Sequence, residues 1–168
     1  MNWHSRRDAK QARLMSAEAF IKGKEVATDD IAKVLTAVMR PGDRVILEGD
    51  NQKQATFLAK ALTEVDPKKV NDITMLIPSV SRDEHLDVFD RGIASEINFA
   101  YAGVQSVRLA KMLEENTLKI GSIHTYLELY SRLFVDLTPD ICLVAAEKAD
   151  RDGNLYTGYS TEDTPTLV

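Results

Sequence analysis

Apolar positions along this chain switch repeatedly between two spacings. Ile31, Val34, Leu35 and Val38 recur every three to four residues, which places them on one helix face. They predict a helix over 28–39, with Thr28 as its N-cap and Asp29 and Asp30 at the positive end of the helix dipole. The turn signal Pro41-Gly42-Asp43 then leads into Arg44-Val45-Ile46-Leu47-Glu48, a β-branched run that predicts a buried strand. Gly49 and the polar tetrad Asp50, Asn51, Gln52, Lys53 separate it from Phe57, Leu58, Ala61, Leu62 and Val65, again at helical spacing. A second strand is predicted over 72–77, stopped by Pro78. Ser81 and Glu84 fit a capping box, and the helix it opens is expected to end near Gly92. Further strands are predicted over 96–101, 118–123 and 141–146. Between them lie helices carrying Val107, Ala110 and Leu113, and then Tyr126, Leu127, Tyr130, Leu133 and Phe134. The stretch 150–168 is polar and has no helical period.

Strand-like and helix-like runs that alternate in this way imply an α/β fold: a mainly parallel sheet with helices on both faces. At 168 residues with 44% hydrophobic content, one core suffices. Charge divides the chain unevenly. Residues 1–24 hold six of the 21 basic and only two of the 26 acidic residues, so the remainder carries 15 against 24. Residues 1–24 are therefore set apart as a basic helical segment, with Leu14, Ala17 and Ile21 on a narrow apolar stripe. It reads either as a helix lying over the 25–168 domain or as a docking arm for an acidic partner. A net charge of −5 argues against nucleic acid as a partner. The lone Cys142 excludes an internal disulfide, and no apolar run approaches membrane-spanning length. These features suit a cytoplasmic protein with no membrane partner.

Several familiar chemistries are missing. After the first strand there is no G-x-G-x-x-G, and nowhere a P-loop or a G-x-S-x-G elbow. Cys142 sits in an apolar strand, where a thiol is ordinarily inert packing, and His4, His85 and His124 are too scattered for a metal site. What recurs is a strand ending in small or polar residues: Gly49 to Gln54, Gly103 to Ser106, His124 to Tyr126, and Lys148 to Asn154. The first three precede helices, whose free N–H groups favour an anion or oxyanion. In parallel sheets such loops share one edge and line ligand crevices. Gly49, Asn51, Gln52, Gln54, Gly103, Gln105, His124 and Asn154 are therefore the candidate contacts. Uncharged amides among them suit a thioester or pantetheine arm better than free phosphate. The same amides are also ordinary loop and cap residues. His124 has two readings, a general acid or oxyanion donor and a hydrogen-bonded structural histidine. Glu48 likewise reads as a salt-bridged strand end or as a buried carboxylate.

Longer words carry a resemblance. LEGDNQKQATFLAKAL, GSIHTYLELYSRLFVDLTPDICLVAAEKADRDGNLYTG and TEDTP, with NWHSRRDAKQARL and EHLDVFDRGIA, closely resemble the malonate decarboxylase alpha-subunit family, and ADRDGN resembles the wider CoA-transferase superfamily. The resemblance implies a CoA-transferase-like domain and exchange of acetyl for malonyl on a carrier thioester. It implies an acyl-carrier subunit, decarboxylase subunits, malonate and acetate as partners. The CoA-derived prosthetic group would ride on the carrier, with no cofactor bound directly. Family members are about three times longer, so this chain is expected to be an N-terminal portion, inactive alone. The superfamily's nucleophilic glutamate belongs to the second half, and no residue here inherits that role. The competing readings are a citrate lyase alpha-type carrier transferase, a small-molecule binding module of the same fold, and a non-catalytic assembly subunit.

Overall fold

The structure, a computed structural model, describes residues 3–48, 53–159 and 164–167. Helix α1 (Trp3–Ala17) is followed by a tiny hairpin of β1 (Ile21–Lys22) and β2 (Glu25–Val26), and by α2 (Ile31–Val38). Next come β3 (Arg44–Leu47), α3 (Thr56–Thr63), β4 (Ile73–Val80), the single turn α4 (Asp87–Asp90), β5 (Ala94–Ala102) and α5 (Ser106–Glu114). Strand β6 (Lys119–Ile123), α6 (Tyr126–Val135) and β7 (Ile141–Leu143) complete the sheet. A hairpin of β8 (Lys148–Ala149) and β9 (Leu155–Tyr156) and the turn α7 (Thr164–Leu167) close the described chain.

The expected α/β architecture is present. Five strands pair in the order β6-β5-β4-β3-β7, every pairing parallel. Alternation along each strand divides its side chains between two faces. Val45, Leu47, Met75, Ile77, Ile97 and Phe99 enter the main core, covered by Leu35, Leu62, Phe89, Leu109 and Met112 from α2 to α5. Ile46 and Leu76 point the other way, to Leu129 and Leu133 of α6 and to Leu137. Both faces are thus covered, though unequally.

Local signals account for most element ends, and tertiary packing overrides the rest. Gly92 ends α4 at φ +67, the left-handed conformation expected of it. Thr125 caps α6, accepting from the Glu128 amide at 3.2 Å. Thr28, by contrast, opens a 3-10 turn, and α2 starts only at Ile31. The Ser81–Glu84 capping box does not form: the Ser81 hydroxyl is buried without a hydrogen-bond partner, and only a 3-10 turn over Asp83–His85 precedes α4. Pro78 does not stop β4. Pairing with β3 ends at Leu76, so the proline lies where β4 keeps a strand neighbour on one side only, and its missing N–H costs no ladder bond there. Strand β7 ends at Leu143 rather than at residue 146. Cys142, expected inside, is exposed on this edge strand. Desolvation still pushes its thiol pKa up, toward the unreactive protonated form.

Helix α1 is likewise held differently from its apolar stripe. The helix stops at Ala17, which is fully buried as the stripe implied, but Ile21 belongs to β1 and Leu14 is 48% exposed. Attachment comes from Arg13, whose guanidinium pairs with both oxygens of buried Asp43 at 2.5 and 2.9 Å. Ser16 adds a hydroxyl bond to the Ala37 carbonyl at 2.8 Å.

Candidate functional site

Because all five strands are parallel, every loop that follows a strand opens on one edge of the sheet. Successive steps from β3 to β4, β5 and β6 move in one direction. The connection through α6 then returns the chain to the far side of β3, where β7 pairs. Strand order therefore reverses between β3 and β7. In open α/β sheets, the crevice outside the carboxyl ends at such a reversal is where ligands bind.

A cluster of buried polar groups lies at that point. Glu48 directly follows β3 and is 1% exposed. Its amide continues the ladder to the Leu143 carbonyl at 2.9 Å. One carboxylate oxygen, Oε2, accepts the Ala145 amide just past β7 at 3.2 Å. The other, Oε1, accepts the Lys53 ammonium at 3.1 Å and also the Thr164 hydroxyl. The ammonium in turn donates to the Thr164 hydroxyl. Lys53 is 7% exposed and Thr164 6%. Taking two charges out of water is costly, and here each charge is met by an opposite charge and by further hydrogen bonds. Glu48 is thus the salt-bridged strand end that its position suggested. Sequence reasoning did not single out Lys53 or Thr164. Glu48 and Lys53 bracket one short polar loop, a signal within reach of the sequence; Thr164 lies more than a hundred residues away and gave none.

The candidate contacts named from the sequence fare differently. Gly49, Asn51 and Gln52 lie outside the described residues. Gln54 is exposed, and its carbonyl accepts from His85 Nε2 at 2.9 Å. Gly103 and Gln105 stand at the carboxyl end of β5, Gln105 buried and Gly103 close under the Tyr101 ring. Asn154 belongs to the β8–β9 hairpin, where its amide groups bond both Asp150 oxygens at 2.8 and 2.9 Å. These bonds, foremost the Asn154 side chain, hold the Asp150 carboxyl below the usual carboxylate range.

His124 follows β6 at the opposite side of the sheet. Three strand spacings separate β6 from β3, about 14 Å at ~4.8 Å per spacing. The carboxyl end of β3 and His124 thus share an edge of the sheet but stand three strands apart. A directional chain encloses the ring: Asn98 Nδ2 donates to Glu96 at 3.1 Å, Ser122 Oγ donates to Asn98 Oδ1, and Ser122 Oγ meets His124 Nε2. Since the Ser122 proton is committed to the amide oxygen, the ring must donate through Nε2–H. Nδ1 is buried with no hydrogen bond, 3.7 Å from a Glu128 oxygen. Among the described residues, no group of His, Cys, Asp and Glu side chains is arranged to hold a metal ion, and no helix is long and apolar enough to cross a membrane.

Comparison with known proteins adds a separate line of support. The family model described as "Malonate decarboxylase, alpha subunit, transporter" matches residues 2–168. A curated relative, the acetyl-S-ACP:malonate ACP transferase of Malonomonas rubra, is 48% identical over 151 residues. That alignment covers 90% of this chain and 27% of the relative. A crystal structure of a malonate decarboxylase alpha subunit from Acinetobacter baumannii superposes at TM-score 0.95 with 51% identity, covering 99% of this chain and 31% of that one. A Pseudomonas malonate decarboxylase hetero-tetramer in complex with malonate also superposes at 0.95, with 52% identity and coverage of 99% and 30%. The chain spans about three tenths of the length of these relatives.

Proposed function

The chain belongs to the malonate decarboxylase alpha-subunit family, and on that premise we propose that it forms part of a carrier transferase. The reaction is exchange: acetyl-S-carrier and malonate give malonyl-S-carrier and acetate. The acetyl–sulfur bond breaks, a malonyl–sulfur bond forms, and one malonate oxygen leaves on the acetate, so charge and atoms balance without an oxidant or reductant. The observation that carries this reading is the 48% identity, sustained over 90% of the chain, to a protein named for that transfer.

The structure supports a supporting share of the chemistry for these residues. The β3–β7 reversal is the position at which open α/β sheets take ligands, and a long, mostly uncharged arm would enter there along the strand ends. We place the carrier-borne, CoA-derived arm there as a substrate delivered by an acyl-carrier subunit, with decarboxylase subunits completing the assembly. The hetero-tetrameric Pseudomonas relative favours such an assembly. The covalent step is assigned to none of the described residues: Glu48, the buried carboxylate at the β3–β7 reversal, is committed to Lys53, Thr164 and Ala145.

The test is an exchange assay on a full-length alpha subunit containing this sequence, with acetyl-carrier and labelled malonate. Malonyl-carrier and acetate should appear in equal amounts, with citrate a poor replacement for malonate. Transfer only with citrate would favour the citrate lyase type, and no transfer with either acid would overturn the assignment. The 168-residue chain alone is expected to give no turnover.

A further inference from the structure

The Glu48–Lys53–Thr164 cluster joins four parts of the chain at one carboxylate. Glu48 contributes the end of β3, Ala145 the segment past β7, Lys53 the residue after the polar loop, and Thr164 the segment beyond the β8–β9 hairpin. Both sides of the β3–β7 reversal are therefore tied to a single buried group. Without this tie, β7 is a three-residue edge strand, and its following segment is held to β3 chiefly by the backbone ladder. A nonpolar cluster of similar size would fill the same space, but it would set no directions. Carboxylate, ammonium and hydroxyl each require particular partners in particular orientations, which makes a buried polar cluster a device for geometry.

We infer that the Glu48–Lys53 ion pair, with the Thr164 hydroxyl, positions the end of β3 against the segment past β7 for acyl exchange. These are positioning residues: they act by tying Glu48 at the end of β3 to Ala145 past β7 and to Thr164, and none of them attacks or protonates the substrate. The inference rests on the exchange reading above. It also makes Lys53 more than a counter-ion, since its ammonium reaches both the carboxylate and the Thr164 hydroxyl.

The consequence separates geometry from charge. In Glu48→Gln or Lys53→Met alone the Glu48–Lys53 pair is broken with one of its two charges still buried, so both stability and exchange fall. Glu48→Gln/Lys53→Met removes both charges of the pair together, so stability recovers relative to the single variants while the ordered geometry does not. The experiment is carried out on the full-length subunit with its carrier, reading kcat, KM for malonate and thermal midpoint. The double variant is expected to recover most of the midpoint lost by the single ones and still to show kcat at least tenfold down, with KM for malonate changed less than threefold. Thr164→Val, which removes only the bridging hydroxyl, should fold normally and lose kcat about threefold or more. A Thr164→Val protein with wild-type kcat would overturn the inference even if the double variant does not fold. A folded double variant with wild-type kcat would do the same. Absence of exchange in the wild-type subunit is a different result: it defeats the functional reading and this inference with it.

Discussion

At the residue scale, burial decides what polar groups can do. His85 is enclosed, donates from Nε2 to the Gln54 carbonyl at 2.9 Å, and leaves Nδ1 buried without a hydrogen bond. Desolvation is the largest influence and pushes its pKa down; Arg82 acts the same way, while the Gln54 and Ser79 backbone and Glu84 oppose it. The folded ring therefore stays neutral at pH values where the unfolded ring, with a reference pKa of about 6.5, takes up a proton. Stability is complete above that unfolded value and declines as pH falls from there toward the folded pKa. We expect the thermal midpoint to drop between about pH 7 and pH 5, and His85→Gln to flatten that part of the profile. An equal pH dependence in His85→Gln would show that another group is responsible. The Glu48–Lys53 pair makes the same point with charge. Losing one partner of a buried pair costs about 3–5 kcal/mol, a large fraction of the ~5–15 kcal/mol that stabilises a domain. This is why the paired double substitution is the informative variant.

At the element scale, the β5–β6 pairing contains an irregularity that local sequence hides. Register runs from Ile97 opposite Ile120 directly to Asn98 opposite Ser122, so Gly121 is an extra residue, a β-bulge. A Cβ there would lie 2.7 Å from Asn98 Oδ1 and closer still to a Glu96 oxygen. Glu96 is partly exposed and can swing away, but Asn98 is buried and committed to Glu96 and Ser122. Gly121→Ala is expected to cost about 1–3 kcal/mol by overpacking, read as a lowered thermal midpoint. It should also disturb the His124 ring, whose NMR signals report the Ser122 contact. A midpoint within a degree of wild type would mean that the bulge has room to relax. Helix α1 shows a second element-level effect. Of its apolar stripe only Ala17 is fully buried, and the ion pair from Arg13 to Asp43 adds to the attachment that hydrophobic burial supplies more fully for α2 and α3.

For the whole molecule, protection should follow the layering. Strand β4 is flanked by β3 and β5, and Met75, Leu76 and Ile77 are fully buried between the two helix layers. Helix α1 exposes nearly all of its surface. Hydrogen exchange is therefore expected to be slowest in β4, with opening close to global unfolding, and fastest in α1. Slower exchange in α1 than in β7 would show that the helix is covered in solution. Strand order also keeps the carboxyl end of β3 apart from His124: parallel strands put both on one edge, and β4 and β5 lie between them.

Sequence alone carried the strand and helix alternation, because a period of two or of 3.6 is written into consecutive residues and needs no long-range contact to be read. From that alternation followed the α/β class, and the long matching words pointed to the family. Local chemistry also located the end of α4 at Gly92. Other features required the fold. Pro78 could enter a strand only because β3 is too short to need its N–H. Ser81 and Glu84 could not cap a helix whose packing leaves it only one turn. Strand order, which sets where the crevice lies, depends on which distant segments bury each other. Thr164 meets Glu48 and Lys53 only because the sheet and the closing hairpin bring the segment back to the reversal point. A contact between residues more than a hundred positions apart leaves no periodic trace in the chain, and tertiary packing alone decides it.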